Sequence, residues 1–133
     1  MFGSLVNSRN KENLSFAAMG NFQAEFFDIE GERYFAIYQH LYEGSREVVI
    51  KLSDAKITVD ESKTEYLIKV GRNRHRYSFL NRKQKTVARF TQYIFGWLPF
   101  MTLKGQVSAA GKALIDSELS KYLKDNRGNH ITN

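Results

Sequence analysis

The sequence of 133 residues contains no cysteine, and it has only one proline and one tryptophan. The lack of cysteine excludes disulfide bonds, thiolate metal sites and a cysteine nucleophile. The longest uncharged run, residues 90–103, is interrupted by Gly96 and Pro99 and is too short for a transmembrane helix. The first fourteen residues lack the apolar segment of a secretory signal. These absences predict a cytoplasmic protein without a transmembrane segment.

Acidic residues are missing from a long central stretch, because residues 66–115 contain no aspartate or glutamate. Their ten basic residues are Lys69, Arg72, Arg74, Arg76, Arg82, Lys83, Lys85, Arg89, Lys104 and Lys112. Residues 1–65 instead contain eleven acids against seven bases, and residues 116–133 contain three of each. An unneutralised cluster of like charges repels itself. We therefore expect either an anionic partner or pairing of this stretch with the acids of residues 1–65.

Alternating apolar and polar residues recur along most of the chain, in short runs about ten residues apart. Ten phenylalanines and seven tyrosines also favour strands. Together they predict a mainly β (α+β) fold, an antiparallel seven- or eight-stranded sandwich or partly open barrel. Residues 15–29 fit a strand or a helix, and the alternation of Phe22, Ala24 and Phe26 favours a strand over Phe22–Ile29.

Residues 108–126 show a clear helical period. Ser108 is a suitable N-cap. Residues at three- and four-residue intervals form the inward stripe: Leu114, Ile115, Glu118, Leu119, Tyr122 and Leu123. The sequence predicts one C-terminal amphipathic helix that packs on the sheet and covers a face or an open end. No linker divides the chain, so we predict a flexible N-terminal arm over 1–14, a single β-rich domain over 15–126 and a tail over 127–133.

The order of about seven short strands followed by a C-terminal amphipathic helix is similar to the pleckstrin-homology architecture. That family's tryptophan in the final helix is absent here, where Tyr122 is the aromatic residue. The run YSFLNRKQKTVARF, residues 77–90, resembles the repeated hairpins of tubby-like or scramblase-like barrels. Neither resemblance rests on a specific motif, so no binding residue is carried over to this chain.

Residues that would carry catalysis are not grouped in the sequence. The three histidines lie far apart, at His40, His75 and His130. No nucleophile elbow and no glycine-rich phosphate loop is present. Three acids alternate around Gly31, where a solvated hairpin tip is favoured over acid–base chemistry or a cation site: Asp28, Glu30 and Glu32. We predict no catalytic residue, no metal and no cofactor, and an enzyme whose site forms only in three dimensions is the third alternative.

The basic run contains an alternating arginine row. A strand over residues 72–80 would place Arg72, Arg74 and Arg76 on one face, about 6.5–7 Å apart, with the intervening residues on the other. This spacing is close to that of phosphates along an extended nucleic-acid strand, and arginine binds phosphate through two parallel hydrogen bonds. The candidate anion-binding residues are Arg72, Arg74, Arg76, Arg82, Lys83, Lys85 and Arg89.

Residues 93–101 contain four aromatic residues, including the only tryptophan, and the only proline. Gly96 and Pro99 favour a turn here, with Trp97 and Leu98 at its tip. The tip either packs into the core or is exposed beside the basic run. The candidate apolar contacts are Tyr93, Trp97, Leu98 and Phe100. An exposed tip would suit a membrane surface, single-stranded nucleic acid or a homo-oligomer contact.

The sequence therefore predicts a non-catalytic binding domain that recognises an anionic partner through a basic face, with nucleic acid slightly preferred. Acidic lipid and acidic protein are the other candidate partners. The alternative is a membrane-surface or protein-interaction and oligomerisation module that uses the basic run together with residues 93–101.

Overall fold

The computed structural model of the chain describes residues 11–41 and 43–123. Within these residues the chain forms nine strands, a short 3-10 turn at Leu52–Asp54 and one α-helix, α1 (Ala109–Ser120). The strands are β1 (Glu12–Met19), β2 (Phe22–Ile29), β3 (Glu32–Leu41), β4 (Gly44–Lys51), β5 (Lys56–Val59), β6 (Glu65–Val70), β7 (Asn73–Arg82), β8 (Lys85–Ile94) and β9 (Leu98–Val107). The predicted mainly β fold with a C-terminal helix is confirmed, with nine strands instead of seven or eight.

The strands form one antiparallel sheet in the order β4-β3-β2-β1-β9-β8-β7-β6-β5, which does not close. Each strand pairs with the next along the chain, apart from β4 and β5 at the two edges. The last strand, β9, returns to β1, and the pair Met19 and Val107 joins them. The sheet therefore consists of two halves, β1–β4 and β5–β9, with a narrow junction between them.

Strand β1 is the element that the sequence did not predict. The predicted arm over 1–14 is too long, because β1 already begins at Glu12, while residues 1–10 lie outside the described part of the chain. The usual alternation is obscured here, since the outward Leu14 and Phe16 are apolar and exposed, whereas the inward Ala17 is small and buried. The strand predicted over Phe22–Ile29 is present as β2.

The inward side chains of both halves share one hydrophobic core. The rings of Phe26 and Phe35 stack with their centroids 4.8 Å apart. Phe35 on β3 also stacks on Tyr77 on β7, with a centroid distance of 6.2 Å, so the two halves face each other across the core. Aromatic pairs of this kind contribute about 0.5–1.5 kcal/mol beyond the area that they bury.

Gly105 lies where the two halves of the sheet meet. A Cβ atom at this position would collide with the carbonyl oxygen of Met19 and lie 3.2 Å from the Cα of Gly20. Only a glycine lets the backbones of β1 and β9 approach this closely. The junction therefore depends on a residue without a side chain.

The helix begins as the sequence predicts, because the Ser108 side chain accepts a hydrogen bond from the Gly111 amide over 3.0 Å. Its Ile115 and Leu119 side chains are fully buried in the shared core. The helix is shorter than the predicted 108–126, since it ends at Ser120. Residues 124–133, which include the predicted tail, lie outside the described residues. In the described ranges no helix is long and apolar enough to cross a membrane.

Candidate anion-binding face and apolar tip

Strand β7 separates its cations from its aromatic residues. His75, Tyr77 and Phe79 are buried in the core, whereas Arg76 is exposed and Arg74 is half-buried on the outer surface of the sheet. The alternation follows from strand geometry, in which successive side chains point to opposite faces. Arg74 and Arg76 of the predicted arginine row therefore lie on the outer surface of β7, whereas Arg72 lies in the turn before this strand.

Strand register adds cations from neighbouring strands to this row. Lys56 pairs with Lys69, and Lys69 pairs with Arg74, so three cations lie in line across β5, β6 and β7. Residues paired in this way have Cβ atoms about 4.5–5.5 Å apart, and like charges in such pairs are destabilising. A second like-charged pair joins β8 to β9, Arg89 with Lys104. We call the following set the basic face: Lys56, Lys69, Arg74, Arg76, Arg89 and Lys104.

One acid neutralises part of the basic face. Glu65 lies 2.9 Å from Arg76 Nε, and the Arg76 guanidinium also lies 6.0 Å from the centre of the Tyr93 ring. In the described ranges no other ion pair involves the six cations of the basic face. The sequence left open that the acids of residues 1–65 neutralise the basic run. Among the described residues, these acids pair with one of the six cations of the basic face, Arg76.

The seven arginines and lysines predicted as an anion site do not form one cluster. Arg74, Arg76 and Arg89 belong to the basic face, while Arg72 lies in the turn between β6 and β7. The remaining three flank the turn between β7 and β8, which we call the distal turn: Arg82, Lys83 and Lys85. Eight strand residues separate this turn from Arg74, a distance of about 26 Å.

The site residues that sequence reasoning missed are Lys56, Lys69 and Lys104. Lys69 and Lys104 lie in the acid-free stretch, and each is the outward residue of an alternating run. Their positions opposite Arg74 and Arg89 depend on the pairing register, which follows from turn lengths that the sequence leaves ambiguous.

The turn between β8 and β9 carries a group of exposed apolar side chains. The Trp97 amide donates to the Ile94 carbonyl oxygen over 3.3 Å, which closes a β-turn with Phe95 and Gly96 at its centre. Seven large apolar side chains are exposed among the described residues, and four of them lie at this turn. We call these four the apolar tip: Phe95 at 63% exposure, Trp97 at 71%, Leu98 at 38% and Phe100 at 66%.

The predicted apolar contacts agree with the apolar tip in three of four residues. Trp97, Leu98 and Phe100 belong to it, whereas Tyr93 is half-buried beneath Arg76. Phe95 takes its place, and nothing in the sequence separates these two aromatic residues, which are two positions apart.

The apolar tip and one end of the basic face are in contact. Arg74 Nη1 donates to the carbonyl oxygen of Gly96 over 3.4 Å. A Cβ atom at Gly96 would lie 3.6 Å from the Arg72 carbonyl oxygen, so the turn between β6 and β7 packs beside the tip. Arg72, Arg74 and Lys69 therefore stand at the same end of the sheet as the apolar tip, opposite the distal turn.

Phe95 adopts a backbone conformation that is unusual for a large side chain. Its φ is 57°, and the φ of Gly96 is 84°. Asparagine, aspartate or glycine normally occupies the first of two such turn positions, and a bulky residue there is strained. Phenylalanine is thus a poor choice for forming this turn.

The histidines do not form a catalytic group within the described residues. His75 is 2% exposed, stacks on Phe90 with centroids 5.8 Å apart, and has no hydrogen-bond partner at Nδ1. Burial lowers the pKa of His75 to about 4, so the ring is neutral at pH 7. His40 is exposed, and its Nδ1 lies 3.1 Å from the Tyr38 hydroxyl. No three candidate metal ligands come together within residues 11–41 and 43–123.

Two of the three acids around Gly31, Asp28 and Glu32, belong to a polar cluster at the C-terminal end of α1. Arg33 bridges Asp28 at 3.0 Å and Glu118 at 2.7 Å. A hydrogen bond from Asn13 and the Arg33 charge lower the pKa of Asp28. Glu32 accepts a hydrogen bond from Ser53 over 3.2 Å. These residues line an open cavity of about 570 Å³, and their ion pairs fasten the helix to β2 and β3.

Comparison with known proteins yields no match: no protein-family model, no curated protein and no solved structure is significantly similar to this chain. The fold and the two surface features, the basic face and the apolar tip, are therefore the observations that bear on function.

Proposed function

We propose that this protein is a non-catalytic binding domain whose basic face recognises an anionic partner. The observation that carries the proposal is the pairing of like charges across strands, Lys56 with Lys69, Lys69 with Arg74, and Arg89 with Lys104. Glu65 is the one acid that pairs with this face within the described part of the chain.

The repulsion between the paired cations favours the binding of an anionic partner. Like charges directly opposite each other on a sheet oppose folding by about 0.2–1 kcal/mol for each pair. An anion that lies between them replaces repulsion with attraction, so binding is favoured by the same charges that disfavour the free sheet. An acid in place of one cation of each pair would instead have stabilised the fold.

The arrangement of the cations supports a broad anionic surface or polymer. Outward residues on one strand repeat about every 6.6–6.8 Å, and neighbouring strands lie about 4.8 Å apart. The cations therefore form a two-dimensional grid across β5–β9 with a spacing close to that of phosphate groups. A small anion would contact only a fraction of such a grid, whereas a nucleic acid or a lipid surface would contact several cations at once.

A paired substitution tests the proposal. Arg89→Gln together with Lys104→Gln removes one like-charged pair from the basic face, and Lys51→Gln with Lys63→Gln removes two cations from outside it. With a labelled single-stranded oligonucleotide as an anionic probe at low salt, the first variant should bind at least about tenfold more weakly. The second should bind nearly as well as the unmodified protein. Equal binding by the first variant and the unmodified protein would refute the proposal.

A protein-interaction or oligomerisation module is the second candidate, because the exposed apolar tip resembles the aromatic centre of a protein interface. Light scattering over a range of protein concentrations distinguishes the two. A strict monomer at high concentration would count against a homo-oligomer formed through the tip.

A further inference from the structure

We infer that the apolar tip inserts into the surface of an anionic lipid bilayer while the neighbouring cations contact the lipid headgroups. This inference rests on the proposed function and narrows its partner from any anionic polymer or surface to acidic lipid. The sequence alone slightly favoured nucleic acid. The positions of the exposed rings in the structure favour lipid.

Exposed apolar side chains are concentrated at one turn of the protein. Phe95, Trp97 and Phe100 are each more than 60% exposed, although the same chain buries its other phenylalanines on β2, β3, β7 and β8 almost completely. A contiguous apolar protrusion of this kind marks a contact with a protein or a membrane. Tryptophan favours the headgroup level of a bilayer, and phenylalanine and leucine favour greater depth.

Several cations lie close behind the apolar tip. The row of Lys56, Lys69 and Arg74 crosses three strands next to Tyr93, which is two residues before Phe95. These cations therefore lie about 7 Å behind the turn along the strand direction. Arg72 lies beside Gly96 itself. An apolar protrusion with cations directly behind it complements a leaflet of acidic lipid, whose headgroups lie above an apolar interior.

The exposed aromatic rings are poorly placed to stack on the bases of a nucleic acid bound to the basic face. Proteins that bind single strands stack bases on aromatic rings that are interleaved with cations in one groove. Tyr93 is the ring that adjoins the basic face, and the Arg76 guanidinium lies over it at 6.0 Å. The most exposed rings instead lie at the turn between β8 and β9 and at the start of β9, beside one end of the basic face and not among its cations.

The backbone at Phe95 is strained. The chain holds a large aromatic residue at a φ of 57°, where asparagine or glycine would form the same turn without strain. Residues in such conformations cluster at functional sites. An aromatic side chain at this position has a clear use if it enters an apolar phase.

Trp97 is the only tryptophan in the chain, so its fluorescence reports on the apolar tip without a label. Vesicles of equal parts phosphatidylserine and phosphatidylcholine should shift its emission to shorter wavelength, and brominated acyl chains should quench it. Added salt should reduce both effects. Vesicles of phosphatidylcholine alone should produce much weaker changes.

Three double variants test the roles of the side chains. Phe95→Ala with Phe100→Ala keeps the reporter and should weaken vesicle binding at least about tenfold. Lys69→Gln with Arg72→Gln should weaken it about 25-fold, at about fivefold for each cation. The matched control is Arg82→Gln with Lys85→Gln, which removes two cations from the distal turn and should leave vesicle binding nearly unchanged. Circular dichroism establishes that each variant is folded.

Several outcomes would overturn the inference. Salt-dependent binding to the vesicles without quenching of Trp97 would mean that the basic face binds lipid while the tip stays in water. Binding to the oligonucleotide but not to the vesicles would identify the partner as nucleic acid. In both cases the proposed function would stand. A shift of Trp97 emission with protein concentration alone would make the tip a contact between copies. If the protein bound neither the vesicles nor the oligonucleotide, both the inference and the proposed function would be refuted.

Discussion

Lys69 and Arg74 lie directly opposite each other on strands β6 and β7, with Lys56 next in line on β5. The side chains project from the outer surface of the sheet, where no acid of the described residues pairs with any of the three. The native fold thus brings together charges that repel one another. This arrangement links the stability of the sheet to the binding of an anion, and it leads to predictions for both.

Replacing one cation of a like-charged pair should stabilise the protein and weaken anion binding. Lys104→Glu places an acid opposite Arg89, which converts repulsion into attraction. We expect the free energy of unfolding to rise by about 0.5–1 kcal/mol. Urea denaturation at low salt measures this change, and the affinity for an anionic probe should fall in the same variant.

The control for this prediction is Lys104→Gln, which removes the repulsion without adding an attraction. Its gain in stability should be smaller than that of Lys104→Glu. A loss of stability in both variants would show that Lys104 stabilises the sheet by packing and that charge repulsion across β8 and β9 is negligible.

Relieving the backbone strain at Phe95 should raise the stability of the protein and weaken its binding to anionic vesicles. Phe95→Gly introduces a residue that adopts a φ of 57° without strain, and we expect a gain of about 0.5–1 kcal/mol in the free energy of unfolding. The same variant should bind anionic vesicles more weakly, because an apolar side chain is lost. Thermal or urea unfolding and vesicle sedimentation measure the two effects.

Gln84→Gly is the matched variant for this test, since Gln84 has a φ of 67° in the distal turn. It should gain similar stability while its vesicle binding stays unchanged. If Phe95→Gly destabilised the protein, the Phe95 side chain would be packing against its neighbours in solution, and the apolar tip would not be free to enter a bilayer.

The fold could be predicted from the sequence where hydrophobic alternation coincides with one buried face. Strand β7 is an example, because the large inward residues Tyr77 and Phe79 alternate with more polar ones. Strand β1 escaped prediction because its inward Ala17 is small and its outward Phe16 is large. Periodicity reports which residues are apolar, and it does not report which of them meet a partner inside the fold.

The candidate site was predictable only in part. The sequence shows that Arg74 and Arg76 share a face of a strand, since that follows from local geometry. It does not show that Lys69 faces Arg74, because cross-strand neighbours are set by register. Nor does it show the exposure of Trp97, which depends on whether the rest of the fold covers the turn.

The junction between the two halves of the sheet should be sensitive to a single methyl group. In Gly105→Ala, the new Cβ would collide with the Met19 carbonyl oxygen, and the backbones of β1 and β9 would have to separate. We expect a loss of about 1–3 kcal/mol in the free energy of unfolding. The neighbouring exposed residue supplies the control, and Gln106→Ala should change stability by less than about 0.5 kcal/mol. Equal stability of the two variants would show that the junction can widen freely.

Stability should fall on mild acidification because of His75. Its pKa is lowered by burial from 6.5 to about 4, so the unfolded chain binds a proton that the folded chain does not between these values. This contribution to stability is complete above pH 6.5, declines as the pH falls, and is lost at about pH 4. The loss should amount to at most about 3 kcal/mol.

The variant that checks this assignment is His75→Phe, which keeps a ring against Phe90 but cannot titrate. Its stability should change much less over the same pH range, whatever its stability at neutral pH. His40→Gln controls for the loss of a histidine at the surface. An unchanged pH dependence in His75→Phe would show that His75 is not the group responsible.

Recognition of an anionic partner by the basic face is best measured as the salt dependence of binding by the unmodified protein. Fluorescence anisotropy of a labelled mixed-sequence single strand reports the affinity at several salt concentrations. If the strand contacts four of the six cations, the logarithm of the affinity should fall linearly with the logarithm of salt concentration, with a slope of about −3. Binding of neither the strand nor anionic vesicles at low salt, or affinities that do not change with salt, would refute recognition of an anionic partner by the basic face.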